Sequence, residues 1–135
     1  MKFFDVPQKK FIVPSTPRKN EILLNSFRLD FSPLNEDRSR HGYDVSPRCL
    51  CDRNTETQKH FFLSCDRYTN ERTQLVHEIN QQLRTGSDFN KLNQTSKMKL
   101  LLFAESKLLK NPADQAAIYD SVLNYIKKSK RIEVN

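Results

Sequence analysis

Residues 49–65 read CLCDRNTETQKHFFLSC, and this stretch holds all three cysteines of the 135-residue chain and one of its three histidines. The spacing is Cys49-x-Cys51-x8-His60-x4-Cys65. Three thiolates and one neutral imidazole make up the complete ligand set of a closed, structural Cys3His zinc site. The pattern therefore predicts one structural Zn2+ bound by Cys49, Cys51, His60 and Cys65.

The three cysteines can also be interpreted as small hydrophobic core residues that bind no metal. A secreted disulfide framework fits less well, because the cysteine count is odd and no signal peptide is present. We therefore expect the protein to be intracellular, in the cytoplasm or the nucleus. A single residue separates Cys49 from Cys51, so a tight turn must bring their sulfur atoms together.

The other two ligands indicate a short helix. Glu56 and Thr57 suit a helix start, and the apolar residues after His60 can continue that helix to Ser64. Positions five apart in an α-helix are separated by about 140° around the axis. We therefore expect the helix to end near Ser64 and Cys65 to bend back toward the metal.

Residues on both sides of the four ligands extend the pattern. They are FRLDFSPLN at 27–35, RHGY at 40–43, CLC at 49–51, ET at 56–57, HFFLSC at 60–65, Tyr68, Arg72, LLFA at 101–104, NYI at 124–126 and SKR at 129–131. This pattern resembles the C-terminal segment that follows the polymerase in reverse transcriptases of non-LTR (LINE-type, jockey-like) retrotransposons. Those segments carry a Cys-Cys-His-Cys zinc knuckle, with Glu-Thr before the histidine and a tyrosine and an arginine after the last cysteine. The resemblance covers residues 23–132, with Asp30 where the family tends to have glycine and Arg53 in a turn that often carries one.

The resemblance implies an accessory fragment of a longer reverse transcriptase and no enzyme activity of its own. The residues agree with this, since 135 residues make one small domain without the paired carboxylates that hold two metal ions for nucleotide transfer. Asp37 and Asp44 are separated and flanked by turn residues, so we expect them to be solvated loop charges. We predict no catalytic residues.

The predicted fold class is mostly α, a small helical domain with an irregular zinc-knuckle segment. Residues 1–20 are expected to form a loosely ordered basic arm, and residues 21–132 a helical domain containing the knuckle at 48–72. Apolar spacing and breaker residues predict helices over 21–29, about 69–84, from a cap at Ser96 through Phe103, and from Asn111-Pro112 to about Ser129. Residues 34–47 are predicted to be turns. No run of eighteen apolar residues is present, so no membrane association is expected.

The net charge of +7 suggests a polyanionic partner, but the charge is unevenly distributed. Residues 36–72 hold seven basic and seven acidic side chains, so the knuckle region is neutral. Phosphate contact is predicted from a basic cluster near the C-terminus, formed by Lys127, Lys128, Lys130 and Arg131. Such a cluster also stabilises the helix dipole and promotes solubility. Phe61, Phe62 or Tyr68 could stack on bases, although core packing is the preferred role of the two phenylalanines.

Two functions remain open from the sequence. One is a zinc-binding accessory module that contacts RNA or DNA with weak sequence preference. The alternative is a structural or protein-docking helical domain, for example one that docks on a reverse transcriptase polymerase domain, in which zinc only stabilises the fold. A decayed copy of a transposable element without a selected role is a third interpretation.

Overall fold

The computed structural model describes residues 18–132, without the side chain of Pro112. Over this range the chain forms five α-helices, which are α1 (Arg18–Arg28), α2 (Asn35–Arg40), α3 (Thr69–Gln81), α4 (Gln94–Phe103) and α5 (Gln115–Ser129). A π-helical turn covers His60–Ser64, and short 3-10 turns cover Asp66–Tyr68, Phe89–Lys91 and Pro112–Asp114. Isolated bridges are the only β-type pairing within the described range. The fold is therefore mostly helical with an irregular middle, as the sequence predicted.

Helix α5 is the centre of the domain, because α3 and α4 both pack against it and α1 packs against α4. Its buried residues come from a wide face that includes Ile118, Tyr119, Val122 and Ile126. The buried apolar side chains of α1, α3, α4, α5 and the knuckle form one cluster. No helix among residues 18–132 is both long and apolar enough to cross a membrane.

The helix positions follow the sequence prediction more closely than their ends do. Helix α1 begins at Arg18, so residues 18–20 are helical; the rest of the predicted arm, residues 1–17, lies outside the described range. Helix α4 is capped by Asn93 instead of Ser96, since the Asn93 side chain accepts a hydrogen bond from the Ser96 backbone N–H at 2.8 Å. Helix α5 ends at Ser129, as predicted.

Helix α2 lies within the segment predicted to contain only turns. Its first two backbone N–H groups donate to Glu56, from Asn35 to the Glu56 carboxylate at 2.7 Å and from Glu36 to the Glu56 carbonyl at 3.2 Å. The first N–H groups of a helix need acceptors from outside the helix. Here Glu56, 20 and 21 positions away from the two donors, supplies them, which explains why local sequence did not reveal this helix.

Asp30 ends α1 in the left-handed conformation that glycine favours. Its φ is +57°, the Phe31 N–H donates to the Ser26 carbonyl at 2.8 Å, and the Asp30 N–H donates to the Phe27 carbonyl at 3.2 Å. These two bonds and the positive φ define a Schellman C-cap, in which this position is usually glycine. The backbone geometry thus explains why glycine would suit this position.

The prediction that Asp37 is a solvated loop charge is wrong. Asp37 is buried, and its carboxylate accepts hydrogen bonds from the Ser32 hydroxyl at 2.6 Å, the Ser32 backbone N–H at 3.0 Å, the Gln58 amide at 3.0 Å and the Arg40 guanidinium at 2.5 Å. Burial by itself would raise the pKa of Asp37, but the hydrogen bonds from Ser32, Gln58 and Arg40 outweigh it and lower the pKa below its ordinary value. Asp37 therefore joins the end of α1, helix α2 and the knuckle.

The two phenylalanines after His60 belong to an aromatic core. Phe61 and Phe62 are fully buried, and Tyr68 is 3% exposed. The Phe61 ring packs edge to face against Phe62, Tyr68 and Tyr125 of α5, with the centroids of Phe61 and Tyr125 5.3 Å apart. Core packing is confirmed, and the suggestion that Phe61, Phe62 or Tyr68 stacks on bases is wrong because the fold covers all three rings.

Candidate metal centre

The four predicted ligands lie together, with their ligand atoms all within 4.8 Å of one another. The Sγ atoms of Cys49 and Cys65 are 3.7 Å apart, and Cys51 Sγ is 3.4 Å from Nε2 of His60. Around a tetrahedral zinc ion, metal–ligand bond lengths place two sulfurs about 3.8 Å apart and a sulfur and an imidazole nitrogen about 3.6 Å apart. The observed spacing therefore fits one metal ion. Among residues 18–132, no other group of histidine, cysteine or acidic side chains has this geometry.

A tight turn brings Cys49 and Cys51 to the same point. The Cys49 N–H donates to the Asn54 carbonyl at 2.8 Å, and the Asp52 N–H donates to the Cys49 carbonyl at 3.0 Å. Asp52 takes a left-handed φ of +62°, which aspartate tolerates better than most residues. Leu50 between the two cysteines is 55% exposed. The turn thus points both sulfurs inward and accounts for the one-residue spacing.

A π-helical turn brings His60 and Cys65 together. The Cys65 N–H donates to the His60 carbonyl at 2.8 Å, five residues back, and the Thr57 hydroxyl caps the helix by accepting from the His60 N–H at 3.0 Å. A turn closed over five residues is wider than an α-helical turn. It therefore removes most of the angular offset between His60 and Cys65 that an α-helix would impose. The turn ends at Ser64, so the predicted helix end near Ser64 is confirmed.

Three carbonyls of this turn are held by side chains of the neighbouring helices. Arg72 of α3 donates from Nε to the Phe62 carbonyl at 3.1 Å and from Nη2 to the Cys65 carbonyl at 2.6 Å. The Tyr125 hydroxyl of α5 donates to the Phe61 carbonyl at 2.5 Å. Backbone carbonyls at a helix end need such partners when they are buried. The ligand-bearing turn is therefore fixed to two helices of the domain.

Burial and hydrogen bonding shift the pKa values of two of the thiols in opposite directions. Burial raises the pKa of Cys49 to about 12. A hydrogen bond from the backbone N–H of Arg53 lowers the pKa of Cys51 to about 6. A hydrogen bond with His60 acts in the same direction, and desolvation opposes both. Because a metal binds the thiolate form, it must displace the proton of Cys49, whereas Cys51 is the more readily ionised ligand.

Glu56, just before the ligand-bearing helix, is fully buried and paired with Arg131. Arg131 Nε donates to Glu56 Oε2 at 2.6 Å, and Arg131 Nη2 donates to Glu56 Oε1 at 2.6 Å. Arg131 Nη2 also donates to the Asn35 side chain at 3.0 Å. Chiefly through its hydrogen bonds with Glu56, this environment raises the pKa of Arg131. The sequence led us to expect Arg131 at a phosphate, whereas the structure places its guanidinium inside the domain.

The other three predicted phosphate contacts are on the surface. Lys127 and Lys128 lie in the last turn of α5, and Lys130 follows with a left-handed φ of +56°. All three side chains are exposed, and none forms an ion pair with another described residue. Nucleic-acid binding by Lys127, Lys128 and Lys130 stays a prediction.

Sequence reasoning interpreted Glu56 only as part of a helix start and did not predict that Glu56, Arg72 and Tyr125 anchor the ligand-bearing turn. A signal was present, because all three belong to the residue pattern that carries the family resemblance. Comparison of the chain with protein-family models, curated proteins and solved structures finds no match.

Proposed function

We propose that this chain is a zinc-stabilised, non-catalytic module that binds RNA or DNA, of the kind that follows the polymerase in non-LTR retrotransposon reverse transcriptases. The observation that carries the proposal is the convergence of Cys49, Cys51, His60 and Cys65, whose ligand atoms all lie within 4.8 Å of one another. The remaining support comes from the donor set, from the contacts around it and from the exposed lysines.

The donor set favours zinc in a structural role. Three thiolates and one imidazole are soft to borderline ligands that suit Zn2+ over Mg2+ or Ca2+. With four protein ligands the coordination shell is complete, which leaves no open position for a substrate or a reactive water. When bound, such an ion supplies folding energy. Thiolate ligands also persist best in a reducing compartment, so we place the protein inside the cell.

The contact between Glu56 and Arg131 supports the family assignment. Both residues belong to the pattern that resembles the retrotransposon segments, although 75 positions separate them. The pair joins the start of the ligand-bearing helix to the end of α5. A motif whose distant parts meet in one buried ion pair is expected of a single folded module.

Nucleic-acid binding is supported by the exposed lysines at the end of α5. Lys127, Lys128 and Lys130 have no ion-pair partner within the described range, so their charges are available to phosphates. Contacts of this kind depend on backbone charge and carry little sequence information. We therefore propose weak sequence preference.

A second candidate is docking on a protein such as the polymerase domain. Three large apolar side chains on α1 and just after it are exposed: Ile22 (53%), Leu29 (38%) and Phe31 (45%). Ile22 and Leu29 are seven residues apart and so lie on the same side of α1. This surface favours a protein partner and is compatible with nucleic-acid binding at the other end of the chain.

Two measurements test the proposed function. The zinc content of the purified protein should be one ion per chain. Binding of single-stranded RNA and DNA should be measured at two salt concentrations for the wild type and for Lys127→Gln/Lys128→Gln. In a plot of log affinity against log salt concentration, the double variant should show a slope smaller in magnitude by roughly 1.4, about 0.7 per lost phosphate contact. A control, Lys19→Gln/Lys59→Gln, removes the same charge from exposed positions elsewhere. Wild-type protein that binds neither RNA nor DNA would refute the nucleic-acid role.

A further inference from the structure

A groove lies between the end of α3, the exposed side of α4 and the loop that leads to α5. Its volume is about 740 Å3. Four cationic side chains line it, Arg84, Lys99, Lys107 and Lys110, with one acidic side chain, Glu105. Sequence reasoning did not predict this group of cations, because its members are spread over 27 positions.

The position of two of these cations is fixed by backbone pairing. Leu83 and Leu109 form an antiparallel bridge, flanked by bonds from the Arg84 N–H to the Leu108 carbonyl at 2.6 Å and from the Lys110 N–H to the Gln82 carbonyl at 3.0 Å. Side chains alternate between the two faces of paired extended segments. Because Leu83 and Leu109 point into the core, Arg84 and Lys110 are directed outward together.

The cations in the groove are unpaired. None of Arg84, Lys99, Lys107 and Lys110 forms an ion pair with another described residue, and all four side chains are exposed. The lining carries a net charge of +3, since Glu105 offsets only one cation. Like charges gathered in one groove repel one another and attract an anionic ligand.

We propose that this basic groove binds the phosphodiester backbone of single-stranded RNA or DNA. The inference rests on the proposed function for the class of partner. Positive charge is enough to bind a phosphodiester backbone without contacting the bases. No aromatic ring lines the groove on which a base could stack. A flexible single strand can bring successive phosphates to the four cations.

This site is separate from the C-terminal lysines. Gln115 lines the groove at the start of α5, and Lys127 is twelve residues further along the same helix. At 1.5 Å per residue the two positions are about 18 Å apart along the axis. Variants of the groove and of the C-terminal lysines can therefore be compared independently.

The experiment compares Lys107→Gln/Lys110→Gln with the wild type, the control Lys19→Gln/Lys59→Gln and the variant Lys127→Gln/Lys128→Gln. Fluorescence anisotropy with oligo(U) and oligo(dT) of 15 nucleotides measures affinity from 50 to 300 mM salt. Two lost contacts should lower the slope by roughly 1.4 and weaken binding at 0.1 M salt roughly 25-fold. Circular dichroism and zinc content confirm that each variant remains folded.

The outcomes separate this inference from the proposed function. If the wild type binds oligonucleotides and the groove variant matches the control, the groove is not the binding site, and the proposed function stands. If the wild type binds no oligonucleotide, both fail. If poly-glutamate, tested as a competitor, binds the wild type more tightly than oligo(U) and loses affinity in the groove variant, the groove takes an acidic protein segment and the inference is overturned.

Discussion

Arg131 and Glu56 are 75 residues apart in sequence, and the guanidinium of one meets the carboxylate of the other in two hydrogen bonds of 2.6 Å. Glu56 also accepts from the first N–H of α2, and Arg131 also donates to Asn35 in that helix. The pair therefore joins the knuckle, α2 and the end of α5. The Cys3His cluster belongs to the domain core and is not a separate finger.

We expect the loss of this ion pair to destabilise the whole domain. Arg131→Ala leaves the Glu56 carboxylate buried without its counter-charge, which costs about 3 kcal/mol or more in the free energy of unfolding. Urea denaturation followed by circular dichroism measures the change. The matched control is Arg53→Ala, because Arg53 pairs with Asp66 at a position where both side chains are mostly exposed. The control should cost less than about 1 kcal/mol.

A second variant distinguishes the ion pair from simple loss of packing. The double variant Glu56→Gln/Arg131→Ala removes both charges, so it should be less destabilised than the sum of the two single variants. Strictly additive effects would show that the two side chains do not depend on each other, contrary to the geometry.

Removal of one ligand should release the metal and loosen the knuckle. Cys65→Ser replaces a buried thiolate ligand, and the variant should lose zinc and show reduced stability, because metal binding and folding share their free energy. Elemental analysis and thermal unfolding measure both effects. Leu50→Ala changes an exposed side chain between two ligands and should keep the metal. A metal-free wild-type protein with unchanged circular dichroism and stability would remove the zinc assignment.

Glycine at the end of α1 should stabilise the protein. Asp30→Gly relieves a left-handed φ of +57° at the Schellman position and should raise the free energy of unfolding by about 0.5–1 kcal/mol. The Asp30 carbonyl, which accepts from Arg40 and His41, is kept in the variant. Asp30→Ala retains a Cβ and should give no gain in urea denaturation. Equal effects of the two substitutions would place the cause in the lost carboxylate instead of the backbone.

The buried carboxylate of Asp37 should make the protein acid-sensitive. The pKa of Asp37 is lower in the folded chain than in the unfolded chain, so its stabilising contribution is complete above the unfolded pKa of about 4. The contribution is lost as the pH falls through the folded pKa. Asp37→Asn should lower the free energy of unfolding at pH 7 by roughly 1–3 kcal/mol, since the site is built for a charged acceptor.

Urea denaturation at pH 7, 5, 4 and 3 tests this prediction. The difference in stability between wild type and Asp37→Asn should shrink toward low pH. Acid release of a metal affects both proteins, so the difference isolates the carboxylate. A difference that stays constant from pH 7 to pH 3 would show that Asp37 does not titrate over this interval.

Sequence reasoning was most accurate where the cause is local. The apolar spacing of α3 and α5 and the end of α5 at Ser129 could be predicted because a helix needs only neighbouring residues to define its buried face. Reasoning from neighbours was wrong for Asp37. Flanking turn residues indicate a surface loop, whereas Ser32, Arg40 and Gln58 surround the carboxylate in the fold. Helix α2 was missed for the same reason, because the acceptor for its first backbone N–H is the side chain of Glu56, which is distant in sequence.

The sequence by itself determined the four members of the Cys3His cluster, the helical class and the excess of positive charge, because residue chemistry and short-range spacing are enough to encode them. The tertiary structure decided how His60 and Cys65 reach one point, since the π-helical turn depends on Arg72 and Tyr125 to hold its carbonyls. It also decided which cations face solvent. Arg131 and Lys130 are adjacent in sequence, but only packing against buried Glu56 turns one inward while the other remains exposed.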